Sequence, residues 1–277
     1  MRTERSVLVV TGASGFCGAH IARSAARSGY TVIAVGRSPG PPGSIHLRWD
    51  ASTDDAAGLS ARLRNLGVQT AAAVVHCAAT VGDTGPTNPF ERVNVAGTAA
   101  VLAAAERLAA PVVAISSGSV YDHRSATGSI GEDHPLGGWA NAYGRTKAVA
   151  DRLALDAGAR VLRPHAVYGP GDRYLLPRAL AAVRGSRLLL PGPDVTLSIT
   201  HVHTLTSAAL SAPAWAPGAY NISDAEPVSR DQLLGQAVSS ALGIDVLVHR
   251  APAALLRTAA GTLERIAVLT VKSRGVV

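Results

Sequence analysis

The chain has 277 residues, 47% hydrophobic and 16% charged, a profile that excludes a disordered polypeptide and allows a large core with a small appended lobe. Its net charge of +7 comes almost wholly from arginines spread without a basic run or interleaved aromatics, so nucleic acid is not an expected partner. No apolar run approaches the roughly 20 residues that span a bilayer, and the polar start leads into Ser6–Val10 without the pattern of a secretion signal, so a soluble cytoplasmic protein with no membrane contact is expected.

In chain order the pattern predicts a strand over 6–11, a helix over 16–28, strands over 31–35 and near 45–49, a helix over 54–66 and a strand over 72–77. A helix over 90–109, a strand over 111–116, a helix over 141–157 and a strand over 159–163 follow. Apolar strands separated by Ala-rich helices imply a parallel sheet covered on both faces, hence a doubly wound α/β domain with its ligand at the carboxyl ends of the strands. After Pro164 the pattern turns irregular, broken by Gly169-Pro170-Gly171, Pro177, Pro191-Gly192-Pro193 and Pro217-Gly218. Residues 1–164 are therefore expected to form the dinucleotide-binding domain, and 165–277 mainly a substrate lobe interleaved with the last strands of the sheet. Cys17 and Cys77 are the only cysteines; they suggest a reducing compartment rather than a disulfide framework, and neither is assigned a function.

Two features carry chemistry. Thr11-Gly12-Ala13-Ser14-Gly15-Phe16-Cys17-Gly18 follows a predicted strand and opens a predicted helix, the context in which spaced glycines let a pyrophosphate rest on exposed N–H groups at a helix N-terminus. Gly12, Ser14, Gly15, Phe16 and Gly18 are accordingly cofactor-binding candidates. At the end of the second strand an acidic residue would bind a ribose 2′-hydroxyl, whereas a cation accommodates a 2′-phosphate. The residues here are Arg37 and Ser38, so NADP(H) is favoured over NAD(H). Asp50, after the third strand, either accepts from the adenine amine or caps the segment that follows. The second feature is Tyr143 and Lys147, four residues apart and so on one helical face. An ammonium beside a phenol stabilises the phenolate and fits Tyr143 for proton transfer. With 6 tyrosines and two lysines in the chain, a chance match to this spacing is rare.

Further motifs are His76-Cys77-Ala78-Ala79, Val93-Asn94-Val95-Ala96-Gly97-Thr98, Ser116-Ser117-Gly118-Ser119-Val120-Tyr121 and Leu162-Arg163-Pro164-His165-Ala166-Val167-Tyr168-Gly169-Pro170-Gly171. Together with the Gly loop and the Tyr/Lys pair, they make most of the chain resemble the extended short-chain dehydrogenase/reductases, also called the NAD-dependent epimerase/dehydratase family. The resemblance implies a Rossmann-type sheet, adds Ala78 and Asn94 to the cofactor contacts, and implies that Ser117, with Ser119 as its rival, orients the substrate oxygen. It further implies that Tyr143 donates the proton and that Lys147 holds the nicotinamide ribose. A homodimer through the segments 90–109 and 141–157 is expected on the same ground.

Departures from the family narrow the substrate. Ala166 stands where many nucleotide-sugar epimerases have Asn, and Leu197-Ser198-Ile199 where they have Arg before an Asp-aromatic pair, so two diphosphate contacts are missing. Gly118-Ser119 replaces the Asp-Glu pair of the 4,6-dehydratases. Arg173, Arg178, Arg184 and Arg187 either face an anionic substrate or form a solvated face, the latter being the default reading. The His201/His203 pair is read as structural or helix-capping, and no metal is expected. The last substrate-lobe helix is expected to be shortened, because the chain ends soon after Val268–Lys272. These features point to an NADPH-dependent ketoreductase of a small carbonyl compound, a keto-deoxysugar or secondary-metabolite intermediate. An epimerase with tightly held NAD and a non-catalytic NADP(H)-binding regulator are the alternatives.

Overall fold

The computed structural model describes residues 6–82, 85–124 and 128–251. Strand β1 (Val7–Thr11) leads into helix α1 (Phe16–Arg27), then β2 (Thr31–Gly36), β3 (Ile45–Arg48), α2 (Ala56–Asn65) and β4 (Ala73–His76). Helix α3 (Thr87–Phe90) passes through a π-helical stretch, Glu91–Ala96, into α4 (Gly97–Arg107). β5 (Val112–Ile115), α5 (Ala142–Asp156), β6 (Arg160–Pro164) and β7 (Ala166–Tyr168) follow. Beyond them lie α6 (Leu175–Ala181), β8 (Val183–Arg184), β9 (Arg187–Pro191), β10 (Thr196–Leu197), β11 (Ile199–His201), α7 (Val202–Ser211), β12 (Gly218–Ile222), β13 (Val228–Ser229), α8 (Arg230–Leu242) and β14 (Leu247–Ala251).

Seven strands form one sheet in the order β12-β6-β5-β4-β1-β2-β3, and every pairing in it is parallel. This is the doubly wound, Rossmann-type architecture that the sequence predicts. The order reverses between β1 and β4, where open sheets of this kind bind ligands beyond their carboxyl ends. Side chains alternate across the sheet. Val9, Ile33, Val35 and Val74 pack with Leu59 and Leu63 of α2, Val101 of α4 and Ala154 of α5. Leu8, Val10, Val32 and Val75 face the opposite way, against Ile21 and Ala25 of α1 and Leu205 and Ala209 of α7. Both faces are thus buried, which is why the strands read as unbroken apolar runs.

The chain divides into two compact units. One is Met1–Gly171 with Ile199–Ala225, and the other is Asp172–Ser198 with Glu226–Val277. The first contains the seven-stranded sheet and the parallel pair β7–β11. Described on its own, the second has a small core of Ala179, Leu188, Leu190 and Val238, with β9 flanked by β8 and β14. The stretch after Val268, expected to hold a shortened helix, lies outside the described residues.

The continuous helix expected over 90–109 is instead wound in three parts. It widens to a π-helix where the side chain of Asn94 is drawn into contact with the loop after β4. It stops at Arg107 because Ala109 adopts a positive φ of 48° and a proline follows at 111.

Candidate active site

The glycine loop owes its shape to backbone approach. Gly12 has a φ of 65°, a left-handed conformation that glycine adopts without a Cβ penalty. A Cβ there would stand 2.7 Å from the Ala78 amide nitrogen, so the loops after β1 and β4 close together only because residue 12 has no side chain. A Cβ at Gly18 would run into the Gly12 carbonyl. Helix α1 opens at Gly15 without a side-chain cap, which aims backbone N–H groups and the positive end of the helix dipole at the loop. Ser14 lies exposed on the loop, and Phe16 packs edge-on against His20 with ring centroids 5.6 Å apart.

Behind the loop a buried relay holds it in place. Thr98 gives its proton to the Asn94 carbonyl at 2.6 Å and so accepts from His76 Nε2 at 2.9 Å. That leaves His76 Nδ1 to accept from Thr11 Oγ1 at 2.7 Å, while the Ala78 N–H donates to the same hydroxyl at 3.3 Å. Burial, reinforced by the Lys147 charge, pushes the His76 pKa down to about 3, so the ring is neutral. Asn94, expected among the cofactor contacts, is buried. Its amide accepts from Thr80 N at 2.8 Å, donates to Thr80 O at 3.1 Å and donates to Thr146 Oγ1 at 3.0 Å. It therefore ties the loop bearing Ala78 to α5.

Arg37 and Ser38 lie exposed at the end of β2. The turn they form is held by His46 Nε2, 3.1 Å from the Gly36 carbonyl, and by Arg48 Nη1 donating to the Arg37 carbonyl at 3.3 Å. Asp50 accepts from Ser52 N and Oγ at 2.9 and 2.7 Å. Those bonds, followed by the Arg37 and Arg48 charges, hold its carboxyl below the usual range. This is the capping geometry among the two roles expected of it. A cavity of about 510 Å³ opens beside His46, Arg48, Asp50 and Arg62 at the edge strand, and none of Ser117, Tyr143 or Lys147 lines it.

The second cluster forms where α5 meets the end of β5. Ser117 caps a short 3-10 turn, Gly118–Val120, and its Oγ accepts from Ser119 N at 3.2 Å and from the Ser119 hydroxyl at 3.0 Å. Ser117 thus accepts both of these bonds and retains its own O–H as a donor. Helix α5 starts at Asn141, whose side chain accepts from Gly144 N at 3.0 Å. A Cβ at Gly144 would stand 3.0 Å from the Ser119 carbonyl, so the turn of helix bearing Tyr143 sits directly on the serine turn. One turn on, Lys147 is buried and Nζ donates to the Ile115 carbonyl at 2.6 Å. Burial pushes its pKa down to about 8 against the pull of Asp151, which leaves it an ammonium at neutral pH.

A further turn on, Asp151 accepts from Ser116 Oγ at 2.6 Å and from Arg163 Nε and Nη2 at 2.9 and 2.7 Å. Both partners of this ion pair are almost fully buried, with side chains 0% and 3% exposed. Tyr143, Lys147 and Asp151 thus form one stripe at spacings of four, and Lys147 and Asp151 grip consecutive residues at the end of β5. Neither Asp151 nor Arg163 has a role in the sequence motifs, although an arginine beside the apolar Val161 and Leu162 of β6 and an acid one turn past Lys147 were visible signals.

A family model described as the NAD dependent epimerase/dehydratase family matches residues 8–222. The chain belongs to that family. It is an NAD(P)-dependent oxidoreductase of the extended short-chain dehydrogenase/reductase type, and the family binds NAD(P). A 2-alkyl-3-oxoalkanoate reductase of Stenotrophomonas maltophilia is 31% identical over 84% of this chain and 75% of its own length. A 4-hydroxy-2-methyl-3-oxo-4-farnesyl-3,4-dihydroquinoline-1-oxide ketoreductase of Stigmatella aurantiaca is 28% identical over 91% of this chain and 78% of its own. Among solved structures, MoeE5 in complex with UDP-glucose and NAD superposes with a TM-score of 0.72 at 29% identity, covering 89% of this chain and 85% of that one. The Gly12–Gly18 cradle, shaped where a Cβ at Gly12 or Gly18 would collide with backbone, fits the dinucleotide that the family binds.

Elsewhere, His201 caps α7, with Nδ1 accepting from His203 N at 3.2 Å, the capping role expected of the pair. Among the described residues no group of three His, Cys, Asp or Glu side chains is arranged to hold a metal. Arg173, Arg178, Arg184 and Arg187 are all exposed. No disulfide links Cys17 and Cys77, and burial pushes the Cys77 thiol up. No helix among the described residues is long and apolar enough to cross a membrane.

Proposed function

We propose that the protein is an NADPH-dependent ketoreductase that reduces a carbonyl of a small molecule, a keto-deoxysugar or secondary-metabolite intermediate. The observation that carries the reading is the seating of α5 on the serine turn, with Lys147 bonded to Ile115 beside Ser116 and Ser117. The names of the Stenotrophomonas and Stigmatella relatives, both carbonyl reductases, support it.

When bound, the dinucleotide supplies hydride to the carbonyl carbon. Ser117 donates a hydrogen bond to the carbonyl oxygen, Tyr143 gives that oxygen its proton as negative charge develops, and the Lys147 ammonium stabilises the resulting phenolate. Gly12, Ser14, Gly15, Phe16 and Gly18 receive the pyrophosphate, with Ala78 lining the adenine side and Asn94 holding that loop. Lys147 also binds the nicotinamide ribose. Arg37 and Ser38 select the 2′-phosphate of NADPH, with Asp50 bracing the neighbouring turn. Residues after 164 supply most of the substrate lobe, and a cytoplasmic homodimer completes the reading.

Two measurements test it. Purified protein should oxidise NADPH with some member of a carbonyl panel, and kcat/KM should favour NADPH over NADH. Arg37→Ala should erode that preference by roughly 10- to 100-fold, the worth of one charge-assisted hydrogen bond; an unchanged preference removes the cofactor assignment. A second reading, a sugar epimerase holding NAD tightly, draws on the likeness to MoeE5 bound to UDP-glucose and NAD. NAD released on denaturing the purified protein would favour it, although Ala166 and Leu197–Ile199 lack the expected diphosphate contacts.

A further inference from the structure

β5 and β6 run parallel with Ile115 opposite Leu162, so Ser117 and Pro164 leave the sheet side by side and His165 is the next residue out. The backbone is held on both sides of it. Arg163 is locked to Asp151, and His165 N–H donates to Thr200 Oγ1 at 3.0 Å while that hydroxyl donates to the Ile222 carbonyl at 2.6 Å. The imidazole lies on Gly118, between the two serines of the turn. A Cβ at 118 would stand 3.0 Å from His165 Nδ1 and 3.1 Å from Cε1, so the space a side chain would take at the reactive turn is filled by this ring.

The neighbouring histidine does different work. His123 Nε2 lies 3.0 Å from the Gly118 carbonyl and bonds it. The ring nitrogens of His165 have no hydrogen-bond partner among the described residues, although the residue is half-buried. Neither nitrogen is sealed off, because among the described residues the one buried side-chain polar atom without a partner is Trp49 Nε1, so both can meet water or a ligand. Burial, then the charge of His123, holds His165 below the ordinary histidine range, so at neutral pH the ring offers one N–H donor and one acceptor.

We propose that His165 is a substrate-recognition residue whose imidazole hydrogen-bonds a second oxygen of the substrate, one placed 1,3 to the carbonyl served by Ser117 and Tyr143. This rests on the ketoreductase reading and makes 3-oxo acids and their esters the substrate class. Ser117 and Gly118 are consecutive, with Cα atoms about 3.8 Å apart, and the His165 ring lies over Gly118, so the hydroxyl and the imidazole flank one small region that a 1,3-dioxygen substrate can bridge. An isolated ketone satisfies only one of them.

The test compares ethyl 3-oxohexanoate with hexan-2-one as substrates for the full chain with NADPH. His165→Phe keeps a flat ring against Gly118 but has no donor, and His165→Gln keeps a donor. The expected result for His165→Phe is a KM for the oxo ester raised roughly three- to tenfold, the worth of one neutral hydrogen bond. The KM for hexan-2-one and the affinity for NADPH should hold, and His165→Gln should recover part of the loss. Equal changes with both substrates, or none with either, overturn the proposal.

If the wild type reduces neither compound, the ketoreductase reading has failed separately. His165 is then judged by calorimetric binding of 3-hydroxyhexanoate to the protein saturated with NADP. An affinity equal in wild type and His165→Phe, or absent in wild type, overturns the recognition role.

Discussion

Tyr143 and Lys147 were legible in the sequence because a spacing of four on a helix puts two side chains on one face whatever the rest of the fold does. With Tyr143 as the proposed proton donor, Tyr143→Phe should lower kcat by roughly 10²- to 10⁴-fold and leave the affinity for NADPH nearly unchanged. Steady-state kinetics beside fluorescence titration checks both halves. Gly12→Ala acts differently: it forces a Cβ into the left-handed region and against the Ala78 backbone, a strain of about 1–3 kcal/mol. NADPH affinity should fall with it, as isothermal calorimetry would show. Asp50 illustrates the limit of residue-level reading. Its two expected roles differ in what the carboxylate meets, and that depends on Ser52 and on the Arg37 charge at the end of the neighbouring strand β2.

At the scale of elements, α5 is the part that assembles the site. Its contacts with Ile115, Ser116 and Arg163 fix the helix against β5 and β6. Asp151→Asn would leave the Arg163 guanidinium buried without its counter-charge, a loss of roughly 3–5 kcal/mol measurable by urea denaturation. The same carboxylate keeps Lys147 protonated, and with its pKa at about 8 the lysine loses charge as pH rises past that value. Wild-type kcat should decline above about pH 8, and in Asp151→Asn the decline should begin at lower pH. A pH profile of kcat in which the break does not move would detach Asp151 from Lys147. The strand-and-helix rhythm up to residue 163 was readable because α1, α2 and α5 are long and buried strands such as β1, β2 and β4 are nearly unbroken apolar runs. Strands β10 and β13 have two residues each and exist only by pairing with each other across a long stretch of sequence, so no local pattern announces them. The π-helical turn at Asn94 was hidden for the same reason: its cause is Thr80, in another loop.

Taken whole, the molecule has a pH response built into its core. Burial, with the Lys147 charge, holds the His76 pKa down at about 3 in the folded protein, against about 6.5 in an exposed histidine. The unfolded chain therefore binds the extra proton as pH falls between those values. Stability from this group is full above about pH 6.5 and is lost toward pH 3, at no more than about 1.4 kcal/mol per pH unit. Melting temperatures from pH 7 to 4 should fall accordingly, and His76→Asn should flatten the slope by close to one proton.

The outermost strand of the main sheet, β12, is supplied by residues 218–222 and pairs along the whole of β6. A chain cut after residue 164 would present β6 with its row of peptide groups open along one side, an invitation to intermolecular pairing. The nucleotide-binding half is therefore not separable at the point where the chain's regular rhythm stops, and a ribosome must deliver some sixty further residues before that margin can be sealed.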